Sequence, residues 1–381
     1  MIPYSSFFFF YILALILLPA IILGLLGKRV KHYGFIANLL MIILIFANSH
    51  LGLRYLIAFY IIQLILIKGY SIIRKKYTKH WILWICIIIS LMPLVVSKAS
   101  GTFSKTQLGF LGISYLTFRA IQMLLEIFDG IIKEVSIYDF TYFLLFFPTF
   151  SSGPIDRSRR FQKDVDKHLT REEYLEYLGN GIEKILKGIL YKFIIAYFLH
   201  NYWLIKIPIE GHSFINTINY MYAYSFYLFF DFAGYSLLAI GASYILGIRT
   251  PDNFNKPFIS KDMKDFWNRW HMSLSFWFRD FIYTRFVMAS MKNKWFKSKY
   301  TSSYVGYIIT MGLMGIWHGS EKHYIVYGLY QAILIILTDL YQRKKWYRKI
   351  KDKMMFKVAS TIVTFNLICF GFLIFSGYLF N

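Results

Sequence analysis

The sequence predicts an all-α polytopic membrane protein, on three observations. Of its 381 residues, 57% are hydrophobic and 20% aromatic, and only 17% are charged. A soluble domain is nearer about 45–50% apolar with about 25% charge. The mean hydropathy is +0.47. Apolar stretches long enough to span a bilayer recur along the chain. Basic residues, finally, sit in short runs between those stretches, which is the positive-inside pattern of cytoplasmic loops. The formal net charge of +23 is therefore read as topology, and nucleic acid is excluded as a partner. Cys86 and Cys369 both lie inside apolar runs, so neither a disulfide framework nor a zinc ligand pair is implied.

The elements follow in order. The N-terminal run MIPYSSFFFFYILALILLPAIILGLLG has no charged leader and is longer than a signal peptide needs; it reads as a retained first span. Further apolar stretches lie near 34–49, 53–73, 80–97, 107–128, 182–205, 214–247, 301–318, 323–341 and 357–380. The 214–247 stretch is long enough for two spans, and 138–150 and 264–284 are short or amphipathic, suited to re-entrant helices. The total is roughly 10–12 transmembrane helices. No stretch is polar enough for a soluble domain, so 1–381 is read as one integral membrane domain. Its parts are N-terminal spans over 1–130, a motif-bearing core over 138–341 and a C-terminal span over 357–380.

Orientation follows from the basic loops. Runs at 28–31 and 74–79 are separated by two spans and share a side. By alternation Lys133, the 157–171 region, 292–299 and 343–357 belong with them. That side is cytoplasmic, which places both termini outside and His318 towards the outer half. Two crossings in 214–247 would require 264–284 to cross as well, as a helix buried in the bundle.

Two turn-rich breaks interrupt the pattern. In TFSSGPIDRSRRF, at 149–161, Gly153–Pro154 stops a helix and Arg157, Arg159 and Arg160 follow. GIRTPDNFNKPF, at 247–258, carries two prolines; Ser260 then reads as a helix N-cap with Asp262 in the first turn.

The candidate chemistry lies beyond that second break. In FWNRWHMSLSFWFRDFIYTR, at 266–285, Trp267, Trp270, Leu274, Trp277, Phe278 and Phe281 recur at helical spacing. Lys264, Asn268, His271, Ser275 and Arg279 form a polar row beside them. Such a helix is too polar to face lipid all round. The shorter stretch MGLMGIWHG, at 311–319, ends in His318 beside Trp317. The two histidines are 318 − 271 = 47 positions apart, so only the fold can bring them together. An ionisable residue at the end of a span is a functional candidate, and a neutral imidazole can take a proton from an attacking alcohol. The alternative for His318 is an interfacial imidazole packed beside a tryptophan, and for His271 a polar seam between helices. His271, His318, Glu321 and His323 match no recognised metal spacing, so no metal is expected. Ser275 lacks a nucleophile elbow. Asp231, in FFDFAGYS, needs a cationic partner and is either bundle glue or part of a substrate path. Arg157, Arg159 and Arg160 suit an anionic headgroup or an acidic protein, or are ordinary positive-inside charge.

Taken together, DFAGYS at 231–236, TPDNFNKPF at 250–258, FWNRWHMSLSFWFRDFIY at 266–283 and GIWHG at 315–319 resemble the membrane-bound O-acyltransferases. FFPTFSSGPIDRSRRF at 146–161 and the wording NRWHMSLSFWFRD resemble the branch of that family that D-alanylates teichoic acids in Gram-positive bacteria. The resemblance implies that fold, with a central tunnel, in the cell membrane. It implies transfer of D-alanine from a phosphopantetheine thioester on a small acidic carrier protein in the cytoplasm to hydroxyls of lipoteichoic acid outside. No bound cofactor is implied, and a small single-span membrane protein is an expected partner. His318 matches the family's essential histidine and His271 its second histidine. On this reading His318 is the base. His271, Asn268 or Ser275 position the acyl group or its oxyanion, and Arg279, Asp231 and Trp317 belong to the substrate path. Rival readings are O-acetylation of an exported polysaccharide by the same family and proton-coupled transport; the halves show no hydropathy symmetry of the kind transporters carry.

Overall fold

The computed structural model of the chain describes residues 1–103, 108–208 and 213–380. Among them all regular structure is helical, and the residues group into two compact units. One holds residues 1–188 with 235–251, the other 189–234 with 252–381.

The first unit is built from α1 (Phe7–Leu25), α2 (Lys31–Phe46), α3 (His50–Lys76), α4 (His80–Phe103), α5 (Ile113–Phe128), α6 (Ile137–Leu144), α7 (Ser158–Asp166) and α8 (Arg171–Ile189). The Ser6 hydroxyl caps α1 by accepting from the Phe9 amide at 3.3 Å. Every residue of α5 from 115 to 127 is buried, including Arg119, Gln122 and Glu126. A helix with that polar content can be buried only if its charges are satisfied. The Arg119 guanidinium donates to the carbonyls of Phe143 and Leu144 at 3.0 Å each, and to the Thr149 carbonyl at 2.7 Å. It thereby holds the end of α6 and the following 3₁₀ turn Phe147–Thr149. The Tyr174 hydroxyl, on α8, donates to the carbonyls of Ala20 and Ile245 at 3.2 and 2.8 Å.

The second unit begins with a π-helical segment, Leu190–Ala196. It continues through α9 (Tyr197–Tyr202), α10 (Phe214–Ile245), α11 (Met263–Trp267), α12 (Met272–Phe278), α13 (Thr284–Lys292), α14 (Lys299–His318), α15 (Lys322–Gln342), α16 (Lys345–Ile350) and α17 (Met354–Phe375). Residues 214–234 of α10 belong to this unit and the rest to the first. Helices α14 and α15 form an antiparallel pair joined by a short turn after His318.

Six described helices are long and apolar enough to cross a membrane: α1, α3, α4, α10, α15 and α17. The chain is a multi-pass, all-α membrane protein. Other stretches expected to span fold differently in detail. The one at 107–128 begins on a residue outside the described set and continues as α5, only 16 residues long. The one at 182–205 divides among α8, the π segment and α9. The option of two spans in 214–247 is corrected: the stretch is a single helix of 32 residues, about 48 Å long at 1.5 Å per residue. Nothing in its Tyr- and Phe-rich sequence breaks the helix, because neither proline nor a polar turn interrupts it.

Candidate active site

The continuous amphipathic helix expected over 266–285 is also corrected. α11 ends at Trp267, a turn follows, and α12 starts at Met272. His271 sits at the junction with φ = 42°, in the left-handed region that favours glycine. The N-cap of α11 is Asp262, not Ser260: its carboxylate accepts from the amides of Lys264 and Asp265 at 2.9 Å each. The Ser260 hydroxyl instead donates to the Pro257 carbonyl at 2.5 Å.

The second turn-rich loop supports this junction. The Met272 amide donates to the Asn253 carbonyl, and the Asn255 amide to the Arg269 carbonyl, both at 2.9 Å. The Ser273 hydroxyl donates to the Asn253 side-chain oxygen at 2.6 Å, and Asn253 is itself buried. TPDNFNKPF is thus a clamp. It pairs with the backbone on both sides of His271, so a conformation a histidine rarely adopts is held from outside. Trp270 anchors the same turn, stacking on Phe266 with ring centroids 5.7 Å apart and packing on Phe254 and Phe372 at 5.0 and 4.7 Å. The His271 ring is 4% exposed and meets the edge of Phe232 at 4.7 Å.

His318 is the last residue of α14. Its position is fixed by how closely α14 approaches α15. A Cβ placed on Gly315 would lie 2.5 Å from the Tyr324 carbonyl oxygen and 3.3 Å from the Gly328 Cα. The two backbones therefore touch, which only glycine permits. One turn later the His318 ring is packed among aromatics: Trp317 at 4.6 Å, Phe375 at 4.9 Å, and Tyr324 stacked at 6.1 Å. Within this unit the fold brings His271 and His318 into electrostatic range of one another. A buried imidazole with a second one in electrostatic range, walled by aromatic rings, suits the uptake and release of a proton from an attacking hydroxyl while bulk water is excluded.

The remaining residues of the polar row are placed as follows. The Ser275 hydroxyl donates to the Trp270 carbonyl at 3.1 Å, so it is engaged in the turn. Asn268 is exposed and ends α11, so it no longer shares a helix with His271. Arg279 is exposed in a second π-helical segment, Arg279–Tyr283. It pairs with Asp280 at 2.9 Å and lies over the Phe276 ring. Lys264 pairs with Asp339 at 2.6 Å. Trp317 lies half-buried against His318. Asp231 has the cationic partner its setting demands, Lys192 of the first π-helical segment, at 2.5 Å. Neither that pairing nor the π geometry is readable from spacing, since 39 residues separate the two.

In the first unit the arginines divide. Arg160 is held by two carboxylates, donating to Asp156 at 2.6 Å and to Asp164 at 2.8 Å. Arg157 is half-exposed at the N-cap of α7, and Arg159 is exposed. Behind them lie residues that spacing did not single out: buried Asp156, Arg119 and Glu126, the last accepting from the Ser158 hydroxyl at 2.8 Å. Their one sequence signal is a charge inside an apolar run, which marks a burial partner as readily as a site.

Residues 32–381 match the model of the MBOAT, or membrane-bound O-acyltransferase, family. The chain belongs to that family. It is 47% identical to the teichoic acid D-alanyltransferase of Bacillus subtilis (strain 168) over 99% of this chain and 98% of that one. It is 42% identical to the teichoic acid D-alanyltransferase of Lacticaseibacillus rhamnosus, over 99% and 97%. A Pseudomonas fluorescens protein named as a probable alginate O-acetylase is 29% identical over 71% of this chain and 53% of its own. This membrane-bound O-acyltransferase is therefore an enzyme of acyl transfer, and the resemblance carried by its motifs extends over nearly the whole chain.

Proposed function

We propose that this membrane-bound O-acyltransferase transfers D-alanine to hydroxyl groups of lipoteichoic acid, from a phosphopantetheine thioester on an acidic carrier protein. The observation that carries the reading is that one unit holds His271 and His318 within electrostatic range of one another, across 47 positions of sequence. Near-full-length similarity to teichoic acid D-alanyltransferases supplies the acyl group and the acceptor.

In the proposed reaction the acceptor hydroxyl attacks the thioester carbonyl and His318 takes its proton. The tetrahedral intermediate collapses, the C–S bond breaks, and the proton passes from His318 to the departing thiolate. The products are an ester and a free thiol. General-base help of this kind contributes about 10²–10⁴-fold. His271 orients the acyl group or its oxyanion, and the packed rings of Trp317 and Phe375 keep water from the activated donor.

Orientation follows the basic loops. α14 starts at Lys299 and α15 ends beside Arg343, both in basic runs, so His318 lies towards the outer face of the cell membrane and the termini lie outside. The donor thus arrives from the cytoplasm and the acceptor from outside, along a tunnel. Exposed Arg159 is available to an acidic carrier, whose encounter the +23 charge would accelerate in a salt-sensitive way. Arg160 is committed to Asp156 and Asp164. A small single-span protein beside the chain, taking part in the acyl relay, belongs to the same proposal.

The test uses membranes from cells lacking the gene and expressing the full chain. They receive either D-alanyl or acetyl thioester on the carrier, with lipoteichoic acid as acceptor. Base-labile D-alanine on lipoteichoic acid is the expected product. Acetyl transfer to an exported polysaccharide instead would move the protein to the acetylating branch, and passage of D-alanine across the membrane without ester formation would make it a transporter.

A further inference from the structure

His318 stands at one side of a group of phenols that the polar row does not include. Tyr324, in the first turn of α15, stacks on its ring at 6.1 Å, and Tyr327, one turn on, meets it edge-on at 6.5 Å. Tyr224 of α10 lies within electrostatic range of both Tyr324 and Tyr327. The row continues away from His318 through Tyr220, which stacks on Tyr224 at 5.8 Å and on Tyr378 at 4.3 Å. All belong to the second unit.

These phenols differ from other tyrosines of the unit in what their hydroxyls do. The Tyr330 hydroxyl donates to the Leu367 carbonyl at 2.9 Å, and the Tyr222 hydroxyl to Asn366 at 2.6 Å. The rings of Tyr224, Tyr324 and Tyr327 are packed, yet among the described residues their hydroxyls meet no protein hydrogen-bond partner. Two phenols beside one histidine, with a third in electrostatic range of both, carry hydroxyls that are not sealed off from solvent, so a ligand or water can take the place of a protein partner.

We propose that Tyr224, Tyr324 and Tyr327 form the acceptor subsite: their hydroxyls hold the phosphate- and hydroxyl-bearing chain whose terminal OH is presented to His318. The inference rests on the D-alanyl transfer reading and names the residues that recognise its acceptor. Phenols suit this task. They donate to phosphate and polyol oxygens while their rings give an apolar rail for the carbon backbone. They also carry no charge at working pH, so an anionic chain can slide past and leave after each ester is made. A lysine or arginine at the same place would hold it. The direction fits as well, since Tyr220 and Tyr224 lie in the first turns of α10, Tyr378 follows the end of α17, and His318 ends α14. The row thus starts at the end of the unit proposed to face outwards.

The test keeps each ring and removes each hydroxyl. Tyr224→Phe, Tyr324→Phe and Tyr327→Phe are expressed as full-length chain in membranes with the loaded carrier, and D-alanine transfer is measured against lipoteichoic acid concentration. Each substitution is expected to raise the acceptor KM by about tenfold, a hydrogen bond's worth of about 1.4 kcal/mol. The donor KM, and the rate at saturating acceptor, stay within about twofold. Tyr330→Phe, which breaks a structural hydrogen bond instead, serves as the control and leaves the acceptor KM unchanged. An unchanged acceptor KM in the three variants overturns the proposal, as does a fall in kcat alone or an equal effect of Tyr330→Phe. If wild-type membranes transfer no D-alanine at all, the functional reading fails first and this subsite with it.

Discussion

Substituting Gly328 by alanine should lower both the stability of the membrane domain and its turnover, because the α14–α15 crossing positions His318. α14 and α15 touch at Gly315 and Gly328, whose Cα atoms are close enough that a Cβ on either meets the other at 3.3 Å. A Cβ on Gly328 would also run into the Met311 carbonyl oxygen, as one on Gly315 would reach the Tyr324 carbonyl oxygen at 2.5 Å. Comfortable carbon contacts begin at about 3.5 Å, so the helices must part by about 1 Å. The obstacles are backbone and cannot rotate away. Overpacking of this kind costs about 1–3 kcal/mol, and His318 lies one turn from the crossing. A displacement of about 1 Å at a reacting group costs about 10²-fold in rate. Gly328→Ala should therefore accumulate in membranes with a lowered Tm and lose about 10- to 100-fold in acyl transfer. The control is Gly312→Ala on the facing helix α14, where a Cβ meets nothing within 4 Å. Transfer assays and thermal unfolding in detergent measure both. Wild-type turnover in Gly328→Ala, or an equal loss in Gly312→Ala, would refute the argument.

Other consequences can be checked in the same preparations. Arg119→Met should leave the carbonyls of Phe143, Leu144 and Thr149 without their donor; the expected loss is about 3 kcal/mol or more, read as a fall in Tm and in membrane yield. Lys192→Met should strand Asp231 and reduce stability by more than the double change Lys192→Met with Asp231→Asn does; a double loss equal to the sum of the two single losses would show the pair to be uncoupled. The third concerns pH. Lys31 donates to Asp166 at 2.6 Å and holds its carboxyl below the ordinary carboxylate range. A depressed folded pKa stabilises above the unfolded value and loses that contribution as pH falls through the folded one. Asp166→Asn should accordingly lower Tm slightly near neutral pH, and the gap should narrow as pH falls below the ordinary aspartate value of about 3.9; a gap independent of pH would contradict the pairing.

The parts of the fold that were legible in the sequence are those encoded locally. Apolar run length marked the first span, which forms α1, and the 3–4 spacing in 272–278 marked α12. The clamp loop showed as a break with two prolines, although its purpose did not: Asn253 and Asn255 act by pairing with backbone 14 to 19 residues away. The break at His271 was invisible because aromatic spacing runs unaltered through both α11 and α12. Only the left-handed backbone at a non-glycine residue reveals the turn, and no spacing rule anticipates that. Asp262 displaced Ser260 as the cap for a related reason, since either side chain can accept from the next turn and the chain's path after Pro257 decides. The pairing of Lys192 with Asp231 and the role of Arg119 depend on contacts across helices, where sequence records the charge and not its partner. The histidines were found by their motifs; their spacing of 47 positions showed only that the fold would have to bring them together, and the geometry around each came from the fold.

The central claim is that His318 serves as the base for D-alanyl ester formation. Its most direct test is the D-alanine ester content of lipoteichoic acid in cells lacking the gene, complemented by wild type or by His318→Ala. The account predicts that wild type restores the esters and His318→Ala does not, with both proteins present in the membrane in equal amounts. Esters restored by His318→Ala to the wild-type level would contradict it.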